Sequence, residues 1–102
     1  MMENPNMGGM LKQLRQMQKD LVKAQKELAK ATVTSEVEGG QVRITVTGDQ
    51  RVTELHIAPE LIEAGEADTL AKLVQQAVNL ALEDSRKMAQ DRLGPLSSGL
   101  NI

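Results

Sequence analysis

The apolar residues of this chain change their spacing twice, and those changes restrict the fold more than any other feature. From about Met10 to Ala31 no Gly or Pro intervenes, and Leu14, Met17, Leu21, Ala24, Leu28 and Ala31 recur at spacings of 3, 4, 3, 4 and 3. That is one face of an α-helix. The next stretch, TVTSEVEGGQVRITVTGDQRVTELHIAP, has period two: Val33, Ser35 and Val37 alternate with Thr34, Glu36 and Glu38, and Val42, Ile44 and Val46 alternate with Arg43, Thr45 and Thr47. Half-buried strands have that period. Helical spacing returns in Leu70, Leu73, Val74, Ala77, Ala81 and Met88. The order long helix, three-stranded antiparallel β-meander, long helix defines an α+β fold in a single domain over residues 1–102, a length that encloses one core.

Punctuation sets the boundaries. MMENPNMGG has no periodicity, so residues 1–9 read as a loose lead-in, with helix 1 over 10–31 and the meander over 32–58. Gly39-Gly40 between two alternating runs marks a hairpin. The apolar phase slips between Val52 and Leu55, which predicts a bulge near Thr53. ELIEAGEAD reads as an acidic connector, Asp68 as the N-cap of helix 2 over 68–93, and GPLSSGLNI as a tail over 94–102 that stops the helix.

Length then asks for a partner. A helix over 10–31 is about 33 Å long, whereas strands of about six residues span about 20 Å. The helices must overhang the sheet, and an overhanging seam of Met10, Leu14, Met17, Leu21 and Leu28 needs cover that a second copy supplies. Leu11, Val22 and Ala29 widen the apolar face to one side, so helix 1 has surface for both its own chain and something else.

Charge is segregated. The chain carries a formal net charge of −2, yet Lys12, Arg15, Lys19, Lys23, Lys26 and Lys30 face only Asp20 and Glu27 within residues 10–30, a net of +4. The six cations fall within an arc of about 80° opposite the apolar seam. A merely solvated helix face mixes signs in i, i+4 pairs; this one does not. A rigid cationic rod matches the phosphate array of duplex DNA, which releases counterions on neutralisation. Arg15 is the single Arg on the stripe, so phosphate contacts rather than base readout are expected. Arg86, Lys87 and Arg92 form a second basic set, diluted by Glu83, Asp84 and Asp91.

Other chemistries find no foothold. The chain has no Cys and no aromatic residue, which removes thiolate chemistry, cysteine-ligated zinc and aromatic stacking on bases. His56 is the sole histidine, with no triad arrangement around it; VEGGQV has neither a phosphate-loop Lys nor a following helix; Glu36 and Glu38 lack a partner for acid–base work. No catalytic residue, cofactor, metal or small-molecule substrate is expected. The lack of an apolar run of about 20 residues and of a signal-peptide pattern predicts a cytoplasmic protein that does not enter membranes.

Taken together, NMGGMLKQLRQMQKDLVKAQKELAKATV, GGQVRITVTGDQRVTELHI, LAKLVQQAVNLALEDSRKM and LSSGL resemble the YbaB/EbfC family of bacterial nucleoid-associated proteins, over about Met7 to Leu100. The resemblance implies a tweezer-like homodimer whose protruding helices contact double-stranded DNA, a location at the nucleoid, an influence on nucleoid organisation and transcription, and no catalysis. It implies DNA contacts at helix ends, which correspond here to the basic residues of helix 1 and to Arg86, Lys87 and Arg92. The competing reading is a protein-interaction adaptor whose helices grip an acidic surface, with DNA binding incidental.

Overall fold

The computed structural model describes residues 5–100, with side chains between 8 and 94. Its elements are α1 (Pro5–Lys30), β1 (Thr32–Val37), β2 (Val42–Thr47), β3 (Val52–Ile57), α2 (Pro59–Glu63) and α3 (Ala67–Leu100). The sheet has the order β1-β2-β3 and both pairings are antiparallel, so the long helix, meander, long helix architecture stands.

The central strand carries the core. Val42, Ile44 and Val46 of β2 are 0–1% exposed and pack with Leu73, Ala77 and Ala81 of α3. Without aromatic rings, the small Ala77 and Ala81, both fully buried, let the helix backbone come close to the sheet. The alternation expected in β1 holds: Ser35 is buried and Val33 and Val37 half-buried, while Thr34 and Glu36 face solvent. The bulge also falls where the phase slip put it. Thr45 pairs with Glu54 and Val46 with Val52, leaving Thr53 as the extra residue of β3, its hydroxyl 3.3 Å from the Thr45 carbonyl it donates to. At the other hairpin, Val37 pairs with Val42, and Gly39 (φ 64°) and Gly40 (φ 92°) adopt the left-handed backbone that favours glycine.

Five features differ from the sequence reading. Helix α1 begins at Pro5 instead of Met10 and ends at Lys30 instead of Ala31; Pro at a first helical position sacrifices only an amide that has no intrahelical partner. The acidic connector contains the short helix α2, opened by Pro59 in the same way. Asp68 lies within the first turn of α3, not at its cap, where a carboxylate still favours the positive helix end. The helix does not stop at Leu93 but continues through Gly94 and Pro95 to Leu100. Pro95 removes one amide donor, and extending a helix already nucleated upstream is easier than starting one. Residues 1–4 of the lead-in and 101–102 of the tail lie outside the described residues.

Helix α3 packs across β1 and β2, and α1 packs against α3. The molecule measures 80 × 22 × 17 Å, so the helices run far past the sheet, as their lengths require. Strand β3 is left uncovered on the face that β2 buries: Val52 is 56% and Leu55 53% exposed.

Candidate nucleic-acid interface

Helix α1 presents three surfaces. Met17, Asp20 and Ala24 are half-buried and Leu28 is buried, which defines the side turned to the rest of the chain. Next to it lies an apolar flank open to solvent, with Leu11, Leu14, Leu21 and Val22 exposed. Opposite the packed side run Lys12, Arg15, Lys19, Lys23, Lys26 and Lys30, all exposed. The expected seam therefore divides: Leu28 joins the chain's own core, Met17 is half-covered, and Met10, Leu14 and Leu21 remain open.

None of the six stripe cations forms an ion pair among the described residues, where the one salt bridge is Lys87 to Glu83 at 3.6 Å on α3. From Lys12 to Lys30 the stripe extends about 27 Å at 1.5 Å per residue, a length over which a duplex carries about 16 phosphate charges. Six cations that make no ion pair among the described residues thus lie along one edge of α1. A shallow groove lined by Arg15, Gln18, Lys19, Val22, Lys23 and Lys26 runs along that edge.

On α3, Arg86 and Arg92 are exposed and lie beyond the last residues fastened to the sheet. Lys87 is less available, since Glu83 shares its charge, although both are more than half exposed and such pairs are weak. His56 is exposed on the edge strand β3, in a depression on the outer sheet face with Thr34, Arg43, Thr45 and Glu54. Among the described residues no cluster of His, Asp or Glu is arranged to hold a metal, and no helix is long and apolar enough to cross a membrane.

Sequence reasoning missed the polar contacts that hold the helices to the sheet. Ser85, fully buried on α3, donates to the Thr47 carbonyl at 2.8 Å, and Ser35 donates to Asp84 Oδ2 at 2.7 Å. Ser35 sits at an inward position of its alternating run, which was the available signal: a buried hydroxyl needs a partner.

A long helix, an antiparallel meander and a second long helix, with six exposed cations along the first, define a small α+β protein. The sequence model of the YbaB/EbfC DNA-binding family matches residues 2–100, and the chain belongs to that family. It is 43% identical over 96 residues to a nucleoid-associated protein of Streptomyces griseus, covering 94% of this chain and 84% of the relative. Against a nucleoid-associated protein of Chlorobium luteolum the identity is 41% over 94% of this chain and 86% of the relative. The crystal structure of an uncharacterized Helicobacter pylori protein shares the fold, with a TM-score of 0.67 over 98% of both chains at 21% identity.

Proposed function

We propose that this protein is a non-enzymatic homodimer that binds duplex DNA through phosphate contacts made by the α1 stripe, with Arg86, Lys87 and Arg92 as a second contact set, and that it acts at the nucleoid in the cytoplasm on DNA organisation and gene expression. The observation that carries the reading is the set of six exposed cations on one edge of α1 that make no ion pair among the described residues. Cations already neutralised by neighbouring carboxylates gain little from phosphate; these have no such competitor among the described residues.

Dimerisation is supported by surface left uncovered. A monomer of 11.1 kDa ordinarily exposes about 5,700 Å², whereas this chain exposes 7752 Å². Its exposed apolar residues include Val52 and Leu55 of β3, Ile62 of α2, Leu80 of α3 and the apolar flank of α1, residues whose burial stabilises association. Two copies would bring twelve stripe cations to one DNA.

Fluorescence anisotropy of a labelled duplex, titrated at several salt concentrations, tests the reading. Wild-type binding should weaken with a log–log slope of about 0.9 per phosphate contact, and Lys19→Glu/Lys23→Glu should weaken it on every sequence while remaining a folded dimer. Undiminished binding by that variant removes the stripe from the interface. No wild-type binding near physiological salt removes DNA as the ligand and favours an acidic protein partner.

A further inference from the structure

Both projecting helices are hydrogen-bonded to one and the same turn, the one that follows β2. The Gly48 amide donates to the Leu28 carbonyl at 2.9 Å and to the Ala31 carbonyl at 3.0 Å. These acceptors lie in the last turn of α1 and in the single residue that links it to β1, where helices leave carbonyls without intrahelical donors. One residue earlier, the Thr47 carbonyl accepts the Ser85 hydroxyl of α3 at 2.8 Å as well as the Gln50 amide at 3.0 Å. The one peptide group that joins Thr47 to Gly48 thus holds the base of α1 through its N–H and the middle of α3 through its C=O.

The site is closed as well as bonded. Gly48 is buried, and a Cβ placed on it would lie 2.6 Å from Leu28 Cδ2, 2.8 Å from the Leu28 carbonyl oxygen and 3.1 Å from Leu28 Cβ. Contacts under 3 Å to backbone require the helix to shift. With Ala31 alone between α1 and β1, the covalent link restricts the helix direction to the two soft dihedrals of one residue. The packing of Leu28 on Gly48 then selects one direction.

We propose that Gly48 is a positioning residue for the basic helix: by seating Leu28 against the turn, and with Ser85 tying α3 to the same turn, it sets the angle between the two helices and so the relative placement of their cations on the ligand. The DNA part of this inference rests on the function proposed above; the angular part does not. Gly48 carries no charge and lies outside the stripe, so any effect of its substitution on binding travels through geometry.

The absence of cysteine makes the test direct. Gln13→Cys and Gln90→Cys, exposed on α1 and α3, take spin labels in the full-length protein, diluted with unlabelled copies so that distances within one chain dominate. A tilt of about 10° at Leu28 moves residue 13, about 22 Å along the helix, by about 4 Å. Gly48→Ala should shift or broaden the distance distribution by that order, Ser85→Ala should broaden it by releasing α3, and Gly9→Ala, whose Cβ meets nothing within 4 Å, should leave it unchanged. On duplex DNA, Gly48→Ala should bind more weakly with all stripe lysines intact, with a salt slope shallower by about 0.9 for each phosphate contact given up.

If Gly48→Ala does not fold, Ser85→Ala carries the same comparison. Unchanged distances in folded variants overturn the inference, as does a changed angle with undiminished DNA affinity. A wild type that does not bind DNA removes the function proposed above, and the distance measurement still decides whether the turn sets the angle.

Discussion

Ser35, 3% exposed on β1, donates a 2.7 Å hydrogen bond to Asp84 on α3, joining the first strand to the helix that covers it. Hydrogen bonds to a charged acceptor contribute about 1.5–3 kcal/mol, and Asp84 is half-buried, so water replaces the lost donor incompletely. Ser35→Ala should lower stability within that range, read as a lower urea midpoint with an unchanged m-value. Asp84→Ala should cost a similar amount by leaving the buried Ser35 hydroxyl unpaired. Retained midpoints in both variants would show that the bond contributes nothing.

The stripe lysines should separate binding from stability. Lys19 and Lys23 are exposed and make no ion pair among the described residues, so their reversal to Glu should change stability by no more than about 0.5 kcal/mol. Thermal melts of Lys19→Glu/Lys23→Glu should overlay the wild type even as its DNA affinity falls. A large fall in melting temperature would mean that the stripe faces something within the protein.

Leu55 should matter to assembly and little to the single chain. It stands opposite the buried Ile44 across the β2–β3 ladder yet is 53% exposed. Leu55→Lys places a charge where a second copy is proposed to pack, and light scattering should report a mass near 11.1 kDa instead of twice that value, with the circular dichroism of the wild type. A variant that remains dimeric would exclude this row from the interface.

Ala81 tests how closely α3 must lie on the sheet. It is fully buried within the cluster formed by Val42, Ile44 and Val46. Ala81→Leu inserts three carbons into a filled space and should destabilise by about 1–3 kcal/mol, measured by chemical denaturation. A neutral result would reveal unfilled volume beneath the helix.

The elements and the bulge were legible because each has a local cause. Period-two alternation set the inward faces of β1 and β2, and the broken phase between Val52 and Leu55 placed the extra residue at Thr53. The end of α3 was not legible, because Gly94 and Pro95 are local stop signals whereas helix continuation depends on what is already nucleated upstream. Of the candidate interface, the stripe was visible as charge periodicity along one helix. The uncovered row on β3 was not, because it depends on α3 crossing β1 and β2 instead of the whole sheet. The fastening at Gly48 was equally hidden, since it joins residues 28, 48 and 85, which no sequence spacing relates.

The bulge at Thr53 also bears on what this protein avoids. An edge strand with an unbroken row of amides and carbonyls is a template on which further chains add indefinitely, the route to fibrous aggregates. In β3 the row is interrupted one residue after it begins, because Thr53 has no opposite number on β2, and a bulge bends and twists the strand there. Beyond it only Glu54, Leu55, His56 and Ile57 remain before Pro59 ends the run, with a carboxylate and an imidazole on the outer face. The edge is too short and too irregular to template growth, which leaves this chain free to keep apolar side chains exposed on β3 without inviting polymerisation through its backbone.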